Sequence, residues 1–432
     1  MIWDPENECM DPEQRRELQL HRLRSTVARL AANVPFYQQR FAEADVSPLD
    51  LKSVDDLRYL PFTTKDDLRE TYPTGMIAVP LSELVRIHSS SGTTGTPVIA
   101  GYTRRDVDIW AETIARTICL GGGTSADILQ VAYGYGLFTG GLGLHYGGER
   151  VGCTVIPMSA GNTARQVMMM RDLKSTMLAC TPSYALTIAD EIVDSGMDIE
   201  QLHLRNGLFG AEVWSDSSRA AIESTLNIKA HDIYGLTEII GPGVSAECGC
   251  SCGLHICDDH FIPEIIDPET REVLPAGERG ELVFTCITKE AFPVIRFRTR
   301  DITTLHYEKC ECGRTTTRMD RVTGRDDDML IIRGVNVFPS QIENVLVNIE
   351  ETLPHYQLVI TKEGRLDVLE VQVEVSSEIF ADTIRGLEAV EDKIRRELAS
   401  ALSIQCRVKL VEPKSIERSI GKAKRVIDLR EE

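Results

Sequence analysis

The sequence predicts an α/β fold, with a large N-terminal domain built on mostly parallel sheets and a small α+β domain after it. Three observations lead there. The chain has 432 residues, enough for more than one domain at roughly 100–200 residues each. From about residue 85, short apolar segments such as 128–132 and 154–157 alternate with helical stretches, the pattern of strands covered on both faces. Later, Leu369, Val371, Val373 and Val375 alternate with Glu370, Gln372 and Glu374, the period of a strand with one wet face.

In chain order, residues 1–80 read as helical. Leu18, Leu23, Val27 and Leu30 recur at helical spacing, and Thr63 and Thr64 followed by Asp67 form a helix start. The α/β alternation follows. Near the C-terminus, Ile384, Leu387, Ile394, Leu398 and Leu402 trace one helix face, and 408–411 reads as a further strand. The polar stretch Gly324-Arg325-Asp326-Asp327-Asp328 marks the boundary, giving domains 1–326 and 327–432. There is no internal repeat and no low-complexity segment.

Apolar residues make up 42 % of the chain, ample for a core, and the net charge is −19. So acidic a surface repels phosphate backbones and anionic headgroups, so neither nucleic acid nor membrane is an expected partner. No apolar run reaches the roughly 18 residues of a membrane span. The acidic start, Met1-Ile2-Trp3-Asp4-Pro5-Glu6, lacks the apolar region of a signal peptide. A soluble cytoplasmic protein is expected. Its twelve cysteines then read as thiols or metal ligands rather than disulfides. Cys9, Cys119, Cys153, Cys180, Cys286 and Cys406 sit among apolar neighbours as small core residues.

The strongest local signal is Ser89-Ser90-Ser91-Gly92-Thr93-Thr94-Gly95-Thr96-Pro97, after the apolar stretch 84–87. Glycines let backbone N–H groups turn inward around an anion, and hydroxyls add donors without bulk. It is not the Walker pattern, which ends in Lys-Ser/Thr. Its bland alternative is a flexible linker. Three more segments end apolar stretches with glycine, aromatic or charged residues: Phe209-Gly210-Ala211-Glu212, Asp232-Ile233-Tyr234-Gly235-Leu236-Thr237-Glu238 and Arg296-Phe297-Arg298-Thr299-Arg300-Asp301. Singly each could be an ordinary turn or a solvated charge run; in this order they are specific.

Together with Gly324-Arg325-Asp326-Asp327-Asp328-Met329 and the late Gly421-Lys422, these segments resemble the ordered core motifs of the adenylate-forming superfamily. Segments 132–141, 293–301 and 328–341 narrow the resemblance to phenylacetate–coenzyme A ligases, from about residue 10 onward. The resemblance implies an adenylate-forming N-terminal domain, a mobile C-terminal lid and a two-step reaction. A carboxylate attacks the α-phosphorus of ATP, releasing pyrophosphate; the thiol of coenzyme A then attacks the acyl-adenylate and AMP leaves. The first step brings two anions together, so cations and donors around the phosphates are needed rather than a protein nucleophile.

By this resemblance Ser90, Ser91, Gly92, Thr93, Thr94, Gly95 and Thr96 hold the β/γ-phosphates. Thr237 and Glu238 position the α-phosphate, with Glu238 on Mg²⁺. Glu212, Asp232, Tyr234 and Gly235 complete the nucleotide pocket, with Tyr234 beside the adenine. Asp301 accepts both ribose hydroxyls and Arg325 reaches the ribose or phosphate. Lys422 bridges carboxylate and α-phosphate; its alternative is a solvated basic tail. Asp327 matches the hinge about which the C-terminal domain rotates, withdrawing Lys422 and presenting the 331–340 loop. Tyr133, Phe138, Leu144, Gly210, Ala211 and Ile239 line the acyl pocket. Leu144 stands where the family pattern has alanine, which makes phenylacetate one aryl acid among several.

Residues alone also point to a metal. Cys248-Gly249-Cys250-Ser251-Cys252-Gly253-Leu254-His255 and, 55 residues later, Cys310-Glu311-Cys312 offer the Cys₃His set of structural zinc. The expected ligands are Cys248, His255, Cys310 and Cys312, with Cys250 or Cys252 able to replace Cys248. The two turns would lie either side of the strand at 281–285. Six unpaired thiols, Cys257 among them, are the bland alternative. The expected partners are thus aryl acid, ATP, Mg²⁺, coenzyme A and structural zinc, with a homodimer allowed. Two competing functions are an adenylating enzyme serving a carrier protein and a zinc-dependent nucleic-acid binder, the latter opposed by the net charge.

Overall fold

The computed structural model describes residues 1–47, 50–90, 96–322, 324–325, 330–333, 335–363, 366–380, 384–402, 404–417 and 425–430, without the side chains of Ile331, Asn336, Ser340, Glu378, Ile384 and Arg385. The first long helix, Pro12–Asn33, starts where Asp11 accepts the Glu13 N–H at 2.9 Å. Leu23, Val27 and Leu30 are buried on its inner face. The expected start at Thr64 is present: its hydroxyl accepts the Asp67 N–H at 3.3 Å, and the Asp67 carboxylate accepts the Thr64 N–H at 2.7 Å.

The Ser/Thr/Gly stretch connects β1 (Arg86–Ser89) to β2 (Ile99–Tyr102), which pair antiparallel. Lying between two strands that pair with each other, it is not a linker between domains. Ser90 closes its mouth: its N–H donates to the Val98 carbonyl at 3.0 Å, and its Oγ accepts the Val98 N–H at 3.0 Å.

Strands β3 (Ile128–Val131), β4 (Thr154–Ile156), β5 (Met177–Cys180), β6 (Asn206–Gly210) and β7 (Lys229–Leu236) form a parallel half-sheet in the order β4-β3-β5-β6-β7. Helices cross between consecutive strands, as parallel pairing requires. One of them, Thr139–Val151, presses so close to Arg104–Leu120 that a Cβ at Gly147 would lie 2.0 Å from the Ile114 side chain. Past β7 the same sheet turns antiparallel through β8 (Gly241–Glu247) and β9 (Leu254–Ile256). It ends on β10 (Phe261–Ile266), β11 (Arg279–Cys286), β12 (Phe297–His306) and β13 (Arg318–Met319), stacked β9-β13-β12-β11-β10 to make eleven strands. The cysteine turns therefore do not flank 281–285 in space. They lie beside the β9–β13 pair, where His255 is opposite Arg318, with β12 between them and β11.

The remaining strands are β14 (Leu330–Ile332), β15 (Val335–Val337), β16 (Thr352–Glu363), β17 (Leu366–Val375), β18 (Arg407–Val411) and β19 (Val426–Asp428). The first two form a hairpin, and the others a four-stranded sheet in the order β18-β17-β16-β19. Val371, Val373 and Val375 are fully buried as the alternation predicts, and Val371 and Val373 share one apolar cluster with Ile394, Leu398 and Leu402 of the helix Ile384–Leu402. The wet face is interrupted at Glu374, which is buried and accepts the Ile416 N–H at 2.9 Å. Among the cysteines expected in the core, Cys9 is only half-buried.

Candidate active site and cysteine cluster

Among the described nucleotide candidates, Tyr234, Asp301 and Arg325 meet at the C-terminal end of β7, the end at which open α/β sheets bind their ligands. The Tyr234 hydroxyl donates to Asp301 Oδ2 at 2.5 Å, and Arg325 Nη1 lies 3.4 Å from Asp301 Oδ1. Asp301 and Arg325 also pair as an isolated β-bridge. Burial and the neighbouring Asp301 charge hold the Tyr234 phenol well above its usual range. Gly235 cannot be replaced: a Cβ there would sit 1.9 Å from the Gly241 carbonyl oxygen. The chain then turns through Thr237 and Glu238, both buried, with Ile239 N–H donating to Leu236 O at 3.0 Å.

Asp232 is tied to a structural network. Arg321 Nε lies 3.2 Å from its Oδ2, and its own N–H donates to Glu247 at 3.0 Å. Burial raises its carboxyl to about 6 despite Arg321. Glu212 caps the helix Pro182–Asp194, accepting the Ser183 hydroxyl at 2.9 Å and its N–H at 3.2 Å. Arg296 and Arg298, conspicuous in sequence, form buried ion pairs with Glu264 and Glu281.

Around the expected acyl pocket, the Tyr133 hydroxyl accepts the Gly210 N–H at 2.9 Å, and the Phe138 ring lies 6.4 Å away. Ala211 takes a left-handed φ of 71° directly after Gly210. Leu144 and Ile239 are fully buried, and Leu144 belongs to the main apolar cluster. Thr96 is exposed. Ser91, Gly92, Thr93, Thr94, Gly95, Asp327 and Lys422 lie outside the described residues.

Sequence reasoning missed what backs the Thr237–Glu238 turn. The Lys289 ammonium is buried, donates to Ile239 O at 3.0 Å, and lies 4.4 Å from the Tyr102 ring and 5.1 Å from that of Phe292. Desolvation lowers its pKa to about 8. Tyr102 donates to Ile240 O at 2.9 Å, and Lys65 reaches Glu238 at 3.6 Å. Lys289 stands between Thr288 and Glu290 in sequence, so its neighbours gave no signal of its burial.

The cysteine cluster assembles from the β8–β9 and β12–β13 turns. Single ligand atoms of Cys248, His255, Cys310 and Cys312 all lie within 4.8 Å of one another. Cys248 Sγ is 3.8 Å from Cys310 Sγ, and Cys312 Sγ is 3.5 Å from His255 Nε2. His255 Nδ1 pairs with the Thr316 hydroxyl at 2.8 Å, leaving Nε2 turned to the sulfurs. Cys252 Sγ approaches Cys310 Sγ at 3.3 Å, and Cys250 is exposed. The N-terminal residues clasp the same turn: Arg314 pairs with Glu8 and donates to Met1 O at 2.9 Å, and Arg15 donates to Thr315 O at 2.6 Å.

No helix among the described residues is long and apolar enough to cross a membrane. The AMP-binding enzyme family model matches residues 15–286, and the AMP-binding enzyme C-terminal domain model matches 334–430. The chain is 47 % identical to a phenylacetate–coenzyme A ligase of Thermus thermophilus over the full length of both, and 49 % identical to that of Escherichia coli over 96 % of this chain and 94 % of the relative. Among solved structures, 2-hydroxyisobutyryl-CoA ligase in a postadenylation state with R3-HIB-AMP superposes with a TM-score of 0.92 at 30 % identity, covering 99 % of this chain and 92 % of that one. The same ligase with 2-HIB-AMP and CoA in its thioesterification state, at 31 % identity and equal coverage, scores 0.72. With its fold, its two family matches and its full-length relatives in agreement, the chain belongs to the AMP-binding enzymes and, within them, to the phenylacetate–coenzyme A ligase family.

Proposed function

We propose that the chain ligates an aryl acid, phenylacetate first among them, to coenzyme A through an acyl-adenylate, releasing AMP and pyrophosphate in the cytoplasm. The supporting observation is the convergence of Tyr234, Asp301 and Arg325 beside the Thr237–Glu238 turn. In this reading Asp301 takes the ribose hydroxyls, Tyr234 flanks the base, and the 90–96 stretch cradles the terminal phosphates. The buried Glu238 carboxylate is a fitting hard ligand for the Mg²⁺ that accompanies ATP. Lys422 neutralises the meeting of carboxylate and α-phosphate, and Tyr133, Phe138 and Ile239 offer an aromatic and aliphatic wall to a flat acyl group. Residues 327–432 act as a lid turning about Asp327. The closer match to the postadenylation than to the thioesterification state of one related enzyme supports two arrangements of a chain of this kind.

Structural zinc belongs to the same proposal, held by Cys248, His255, Cys310 and Cys312. Sulfurs about 2.3 Å from a tetrahedral zinc stand about 3.8 Å apart, the spacing of Cys248 and Cys310. The 3.3 Å between Cys252 and Cys310 is too short for two ligands of one ion, which favours Cys248. The ion would supply no chemistry; it would fasten two turns. A homodimer would cover Leu81, Val85 and Ile87, all exposed near the hairpin.

ATP–pyrophosphate exchange across a panel of aryl acids tests the main reading, with AMP release measured with and without coenzyme A. Exchange with phenylacetate and AMP release stimulated by coenzyme A are expected. Exchange with no aryl acid, or AMP release indifferent to coenzyme A, would refute it.

A further inference from the structure

Among the described residues no hydrophobic cluster spans the region around residue 325: two clusters draw all their buried members from residues up to 319, and the third draws all of its own from 332 onward. Polar contacts join the two sides instead. His355 Nε2 meets Asp190 Oδ2 at 3.1 Å in a partly buried pair, and Lys414 meets Asp194 at the surface. The third contact is buried. Glu343, on the helix Pro339–Val347, accepts the Ser218 hydroxyl on Oε1 at 3.0 Å, and Ser218 stands in the first turn of the helix Asp216–Leu226. Its Oε2 accepts the Tyr356 hydroxyl at 3.1 Å and pairs with Arg425. Arg425 also donates to the Tyr356 oxygen at 2.6 Å, stacks 4.6 Å from that ring, and receives the Leu358 N–H on its own carbonyl at 2.7 Å. Arg425 stands three residues after Lys422.

We infer that Glu343 is a positioning residue for adenylation: through Arg425 it fixes the strand that leads out of the Lys422 segment, and through Ser218 it latches that assembly to the nucleotide-binding side. The inference rests on the role proposed for Lys422. A carboxylate is suited to the task because one side chain, with two oxygens, serves both sides of the contact, and bonds to an ionised acceptor are about twice as strong as neutral ones. A polar latch also separates more readily than an apolar one, since water replaces the lost partners once it opens. The Glu343–Arg425 pair lies within the C-terminal part and can persist through a rotation; the Ser218 bond is the one that must break.

Ser218→Ala removes that bond and leaves the Glu343–Arg425–Tyr356 group whole. It should lower ATP–pyrophosphate exchange about tenfold while sparing thioester formation from supplied acyl-adenylate and coenzyme A. Ser218→Thr, which keeps a hydroxyl, should restore exchange. Glu343→Gln should lower exchange at least as far, with circular dichroism and melting run alongside. Equal loss in both half-reactions, unchanged exchange in Ser218→Ala, or failure of threonine to rescue would overturn the latch. Lys422→Ala in the same two assays separates this from the underlying reading: loss of exchange with thioester formation intact upholds the lysine's role, and equal loss in both refutes that role whatever the serine variants do.

Discussion

Lys289→Met tests how the buried ammonium shapes stability. Burial lowers the Lys289 pKa from 10.5 to about 8, and at about 1.36 kcal/mol per pKa unit holding the charge inside costs on the order of 3 kcal/mol at neutral pH. The bond to Ile239 O offsets this, since a charged donor contributes roughly 1.5–3 kcal/mol. Methionine keeps an apolar stem between the Tyr102 and Phe292 rings and loses both terms, so near pH 7 the two proteins should differ by only about 1–2 kcal/mol. With rising pH they diverge. Between about 8 and 10.5 the unfolded lysine keeps its proton while the folded one has released it, so the unfolded state binds more protons and wild-type stability climbs with pH. By pH 9.5 the wild type should gain on the order of 2 kcal/mol on the variant. Urea unfolding of both proteins at pH 7 and 9.5, with equal m-values, measures this. A gap that stays constant across that range would refute a depressed lysine at this position.

Asp301→Ala should raise the KM for ATP and weaken AMP binding, each lost ribose bond contributing about 1.5–3 kcal/mol; unchanged AMP affinity by calorimetry would contradict the assignment. Cys310→Ser should lower bound zinc from about one equivalent and reduce the melting temperature together, with the KM for ATP nearly unchanged, whereas Cys252→Ser should leave the zinc in place. Elemental analysis finding no zinc in wild type purified without chelator would dismiss the site. Leu144→Ala should cost about 2–5 kcal/mol of stability, because the side chain is fully buried, and should move acid preference toward bulkier aryl acids. An unaltered ranking across the acid panel would show that Leu144 does not face the acyl group.

What was legible in the sequence was local. The cap at Thr64 is set by residues three apart, and the parallel strands announce themselves by apolar runs between helices. Strands β9 and β13, of three and two residues, are too short to carry a period, so the antiparallel half of the sheet and the true surroundings of the cysteine turns stayed hidden. Spacing nominated Cys248, His255, Cys310 and Cys312, but only the sulfur separations distinguish Cys248 from Cys252. Lys289 reads as a surface residue because the rings that enclose it include Tyr102, far away in the chain. Arg296 and Arg298, which in sequence could pass for a solvated charge run, are likewise buried, since their partners Glu264 and Glu281 come from β10 and β11.

The clasp of the N-terminal residues on the cysteine turn bears on how the chain is born. Glu8 and Arg314 are 306 residues apart. At about 5–20 residues per second of synthesis, Glu8 waits roughly fifteen seconds to a minute before Arg314 emerges. Throughout that interval the inner face of Pro12–Asn33, with Leu23, Val27 and Leu30, has none of the late strands to lie against. Contacts of such sequence separation also form slowly after release. The helix Pro12–Asn33 therefore completes its polar surroundings only once the turn that carries Arg314 and Thr315 has been made.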